Sequence, residues 1–113
     1  MNKTLAEIIA DCCHIIAEAL PEDIRIEDSF DNAETIEQVR NLAKYSEWGW
    51  CCAKVTVTYK GITETEYLGG CSYDNEHEFQ RCSYFADMVA ECCKRIANQV
   101  DSIVRAHSKD VLR

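Results

Sequence analysis

Apolar residues recur at helical spacing from Leu5 to Leu20, with Ile8, Ile9, Cys12, Ile15, Ile16 and Ala19 on one stripe. Thr4-Leu5-Ala6-Glu7 has the form of a capping box, so the spacing predicts a helix that begins there and runs to Pro21. Ile24 and Ile26 then alternate with Arg25 and Glu27, which predicts a short extended piece. Asp31 and Glu34 supply a second helix start, with Ile36, Val39, Leu42 and Ala43 as the apolar stripe and an end near Tyr45.

The pattern changes period after Gly49. Val55, Val57 and Tyr59 point one way, and Lys54, Thr56 and Thr58 the other, as in a half-buried strand. A two-residue turn at Lys60-Gly61 would set Val57 opposite Glu64 and Val55 opposite Glu66. A three-residue loop through Ile62 sets Val57 opposite Thr65 and Val55 opposite Tyr67. The second choice keeps charge off the apolar face and is the expected register. Gly69-Gly70 ends the returning strand and permits unusual backbone angles or a close approach. Asn75, with Glu78 three residues on, then caps a last helix.

That helix carries Phe79, Cys82, Ala86, Val89, Cys93, Ile96, Val100 and Ile103, which step by three and four in a heptad seam. Read as one helix from Glu76 to Ala106, it would be about 45 Å long. A domain of this size has an expected radius of gyration of about 13 Å, so part of the seam is expected to pack on another subunit. The fold class is therefore α+β, with residues 1–113 as a single domain. A small antiparallel sheet, its hairpin at about 50–68, packs with N-terminal helices and the long C-terminal helix.

Composition narrows the function classes. A net charge of −8 opposes binding to a long nucleic acid, which requires several cations per site. No apolar run reaches membrane-spanning length, and the N-terminus lacks the pattern of an export signal. The expected location is the cytosol. The eight cysteines include three vicinal pairs and no C-x-x-C, a spacing that disfavours zinc. They read first as small reduced hydrophobes, with metal binding or disulfides as the alternatives.

Catalytic signals are weak. Cys71, Asp74 and His77 are close in sequence, but a thiol nucleophile usually meets its base through the fold. Asp74, Glu76, His77 and Glu78 are the densest candidate metal set, yet acidic residues are expected in a first helical turn anyway. No phosphate-binding loop, dinucleotide fingerprint or nucleophile elbow occurs, so neither an enzyme nor a cofactor is expected.

Binding is better supported. The aromatic residues Trp48, Trp50, Tyr59, Tyr67, Tyr73, Phe79, Tyr84 and Phe85 cluster around the strands and their exits. An edge aromatic can stack on a nucleobase, and Phe79 is the candidate chosen. Arg25, Lys54 and Arg105 are the candidate phosphate-binding cations, chosen by residue chemistry and placement.

Trp50-Cys51-Cys52-x-x-Val55-Thr56-Val57, then Leu68-Gly69-Gly70-Cys71-Ser72-Tyr73 and Ala86-Asp87-Met88-Val89-Ala90-Glu91, carry a resemblance. Over about half the chain the sequence resembles the first-described type of the phage Thoeris anti-defence sponges. The resemblance implies a non-enzymatic protein in the cytoplasm of the infected bacterial host. It would sequester cyclic ADP-ribose isomers; some members of that family also hold cyclic oligonucleotides in a second kind of pocket. It also implies homo-oligomers, hexamers built from dimers, with pockets between subunits. The poly-cysteine character departs from that family. Two other readings are an acidic inhibitor of a host nucleic-acid-binding enzyme and a hydrolase of a small phosphorylated substrate.

Overall fold

The computed structural model describes residues 2–111. Helix α1 spans Leu5–Cys12, strand β1 His14–Leu20 and helix α2 Ala33–Tyr45. Strands β2, Cys51–Tyr59, and β3, Ile62–Cys71, form the hairpin, and helices α3, Glu76–Gln80, and α4, Ser83–Val111, follow. The architecture is α+β: an antiparallel sheet in the order β1-β2-β3, with N-terminal helices and a long C-terminal helix.

The first apolar stripe divides into a helix and a strand, which corrects the expected helix to Pro21. Thr4 caps α1 as the box predicts, its Oγ1 accepting from the Glu7 N–H at 3.2 Å. After Cys13 the chain extends and pairs with β2, Ile15 opposite Val57 and Ala17 opposite Val55. Ile15 and Ala19 fit the helical stripe, and with Ala17 between them they also fit a period of two. The β-branched pair Ile15-Ile16 favours the strand, and the ladder to β2 decides it. The Ile24–Ile26 piece is also corrected: Ile26–Asp28 is a turn of 3-10 helix. The cap of α2 is Asn32 rather than Asp31, its Oδ1 accepting from the N–H groups of Glu34 and Thr35.

The hairpin takes the two-residue turn, not the expected three-residue loop. Lys60 and Gly61 sit at φ 50° and 83°, the pair of positive values that a type I′ turn requires. Val57 therefore faces Glu64, and Val55 faces Glu66. Both carboxylates lie on the helix-facing side of the sheet, where Arg95 of α4 meets them. Its Nη2 donates to Glu66 Oε1 at 2.5 Å and to the Thr65 carbonyl at 3.3 Å. Its Nε lies 3.5 Å from Glu64 Oε1, and Gln99 Nε2 donates to Glu64 Oε2 at 2.7 Å.

The core lies between the sheet and α4. Ala53, Val55 and Val57 from β2 meet Met88, Cys92, Cys93 and Ile96, with Ile9 of α1 closing one side. Four cysteines, Cys51, Cys71, Cys92 and Cys93, are buried, and all eight are free thiols. Burial pushes the Cys51 thiol up to about 12 and that of Cys93 to about 11, so both are neutral apolar fillers at physiological pH.

The C-terminal segment is two helices, not one. Asn75 caps α3 by accepting from the Glu78 N–H at 2.9 Å, and the chain breaks at Arg81-Cys82 before α4 begins. On α4 the expected seam is buried at Cys93 and Ile96 but emerges at its far end. From Asp101 through Ser108 every side chain is exposed, with Ile103 at 61% and Val104 at 56%. The helix overruns the sheet, and the molecule measures 66 × 28 × 22 Å with a radius of gyration of 18.4 Å.

Two stability tests follow from the hairpin. Arg95→Met strands two carboxylates on the inner face and is expected to cost about 2 kcal/mol in urea unfolding. Adding Glu64→Val and Glu66→Val should recover most of that loss; no recovery would mean that Arg95 acts through packing alone. Lys60→Val puts a β-branched residue at positive φ and is expected to cost about 1–2 kcal/mol, whereas a three-residue loop with Lys60 at negative φ would tolerate it.

Candidate ligand cleft at the Gly69-Gly70 bulge

The register of the hairpin slips at its open end. Cys51 pairs with Cys71 and Ala53 with Leu68, so Gly69 and Gly70 bulge out of β3. Gly70 has φ 67°, a left-handed value that glycine adopts without penalty. At Gly69 a Cβ would fall 2.9 Å from Glu22 Oε2. Both glycines are exposed.

Glu22 holds the bulge. One carboxylate oxygen accepts from the Gly70 N–H at 2.6 Å and the other from the Ile24 N–H at 3.1 Å. Trp50 Nε1 donates to the Ile24 carbonyl at 2.8 Å, and Phe30 lies against the Trp50 ring with centroids 6.0 Å apart. Glu27 ties this segment to α2 through Arg40 and to Arg25 at 3.2 Å. Its carboxyl is held down at about 2, first by the Arg40 hydrogen bond and then by its own backbone N–H.

A cleft of about 380 Å³ opens beside the bulge, lined by Phe30, Leu68, Gly69, Gly70, Cys71, Ser72, Tyr73 and Tyr84. Its volume is in the range of small-ligand sites. Tyr84, at the start of α4, is 58% exposed, while Tyr73 turns its hydroxyl onto Cys82 Sγ at 3.3 Å. Burial, followed by that contact, raises the Tyr73 hydroxyl above its ordinary range. Burial also raises the Cys71 thiol, which keeps it protonated at neutral pH. The lining thus offers aromatic faces, bare backbone and the hydroxyls of Ser72 and the two tyrosines. It contains no Lys or Arg.

The four sequence-chosen residues do not converge on one point. Arg25 is exposed, paired with Glu27 and next in sequence to Ile24, whose Cδ1 lies near Gly69. Lys54 lies on the open face of the sheet, 6.0 Å from the centroid of the Tyr67 ring. Arg105 lies on the exposed end of α4, where it pairs with Asp101 at 3.0 Å.

Phe79 is fully buried. Its ring stacks on Trp48 at 4.9 Å and meets Tyr73 and Phe85 edge-on, so no face is free for a base. Phe30 and Glu22, which reach the cleft, lie outside the patterned blocks of the sequence. Their one sequence signal is the polar, aromatic-containing segment between Pro21 and the cap of α2. Among the described residues, no three His, Cys, Asp or Glu side chains form a group able to hold a metal.

The chain matches no protein-family model, and comparisons with curated proteins and with solved structures return no match. Fold and cleft together define a two-layer α+β domain with an aromatic-walled cleft at a strand bulge. Glu22→Ala is expected to speed amide exchange at Gly70 and Ile24 and to cost about 1–2 kcal/mol. Unchanged exchange at Gly70 would remove Glu22 from its role in holding the bulge.

Proposed function

We propose that this protein is a phage-encoded, non-enzymatic sponge. It binds and sequesters a cyclic nucleotide immune signal, a cyclic ADP-ribose isomer or a cyclic oligonucleotide. It does so in the cytoplasm of the infected bacterial host and thereby blocks anti-phage defence. The observation that carries this reading is the cleft beside Gly69-Gly70, whose aromatic walls and bare backbone suit a flat base. Its one thiol is buried and held neutral, which suits retention of a ligand better than attack on it.

The charge balance supports a shared site. The cleft has no cation of its own, and the Glu22 carboxylate stands at its glycine rim. A phosphate in the cleft therefore needs cations from another chain. The exposed end of α4 is suited to supply one: it projects beyond the sheet, bears apolar Ile103 and Val104, and carries exposed Arg105, held only by a solvent-exposed ion pair with Asp101 of the same helix. In this reading α4 packs against a neighbouring copy in a dimer-based hexamer and presents Arg105 to a phosphate there. The base stacks on Tyr84 or Phe30. Slow release, rather than turnover, inactivates the signal.

The test is to incubate the protein with cyclic ADP-ribose isomers and cyclic oligonucleotides, then heat it and examine the supernatant. Depletion followed by recovery of intact ligand supports the sponge. Altered ligand means a hydrolase, and no depletion leaves the acidic protein inhibitor. Arg105→Ala is expected to weaken binding by about 10- to 100-fold, the worth of one charge-assisted contact, with the oligomer intact. Unchanged affinity would remove Arg105 from the site.

A further inference from the structure

The two edges of the sheet are treated differently. Along β3, side chains use the edge: Arg95 donates to the Thr65 carbonyl, Cys71 Sγ to the Leu68 carbonyl, and Glu22 accepts from Gly70. The bulge then bends the strand away. Strand β1 has none of these devices. Its seven residues, His14–Leu20, contain no Pro, no Lys and no bulge. Among the described residues, its backbone groups bond only to β2, which leaves every outward N–H and C=O along one side open.

We propose that the β1 edge pairs antiparallel with the β1 edge of a second copy about a two-fold axis, making one continuous six-stranded sheet. The side chains select the register. Two-fold pairing that keeps both helix layers on one side must set odd residues against odd and even against even. Centring the axis on Glu18 places Glu18 against its own copy. Centring it on Ala17 places exposed Ile16 against a carboxylate. Centring it on Ile16 places Ile16, 45% exposed, against the second copy's Ile16. It also sets His14 opposite the second copy's Glu18, twice by symmetry, so that an imidazole N–H can donate to a carboxylate on either side. Ile15 then meets Ala17 on the core face. Only this register matches both the apolar residue and the charge.

Helix α1 supports the same contact. It runs directly into β1, and Ala6 and Ala10 line its groove against α4 with Ala90 and Cys93. Ile8 lies on the opposite flank of the helix, by the rotation per residue, and is 43% exposed. Because α1 runs directly into β1, pairing the strands also brings the two copies of this exposed flank closer together. This interface is separate from the α4 contact and does not depend on any ligand.

The test combines amide exchange with sedimentation of the whole protein. Outward amides of β1 should exchange about tenfold or more slowly in the wild type than in Ile16→Lys at the same concentration. Ile16→Lys should also lower the assembly mass with unchanged circular dichroism. His14 faces Thr58 within its own chain, so charge placed there acts mainly across the proposed axis. His14→Lys should keep or strengthen assembly by pairing with Glu18, and His14→Glu should weaken it. Equal exchange of β1 amides in wild type and Ile16→Lys would overturn the proposal. So would equal effects of His14→Lys and His14→Glu.

Discussion

Arg95 stands between α4 and a strand that turns two carboxylates toward the core. The register of the hairpin requires such a residue. With Val57 opposite Glu64 and Val55 opposite Glu66, the inner face of β3 would carry uncompensated negative charge beside the apolar core. The guanidinium meets both, caps the Thr65 carbonyl and fixes where α4 crosses β3. Once α4 is placed, Cys92, Cys93 and Ile96 fall onto β2 and the remainder of the helix projects past the sheet. At the far end of the hairpin that register slips by one residue, which produces the Gly69-Gly70 bulge and so the cleft.

That dependence explains what could be read from the chain and what could not. The hairpin, α2, the Thr4 and Asn75 caps and the amphipathic face of α4 were legible because each rests on neighbours a few residues away. The register is not legible locally because its solution lies about thirty positions downstream in Arg95, beyond any local parity argument. The β1 strand was hidden because Ile15 and Ala19 fit both periods, and only the presence of β2 chooses between them. The cleft was half legible. Gly69-Gly70 and Tyr73 stood out, whereas Phe30 and Glu22 reach it from a segment with no periodic signal, and Phe79 proved to be core.

The surface shows the same logic. An acidic chain whose cleft lacks cations, whose longest helix overruns its sheet and whose first strand has an open edge leaves several requirements unmet within one copy. Cations, apolar cover and backbone partners can all be met by further copies of the chain. Assembly in this account is therefore part of how the site is completed.

Whether the bulge cleft holds the ligand is the central question, and the glycine amides answer it most directly. Only four glycines are present, and their amide signals occupy a sparse region of the nitrogen–proton correlation spectrum. On titration with a cyclic ADP-ribose isomer, the signals of Gly69 and Gly70 should shift together with those of Tyr73 and Tyr84, while Gly61 at the distant turn stays fixed. Binding that leaves Gly69 and Gly70 unmoved and shifts residues elsewhere would contradict the account.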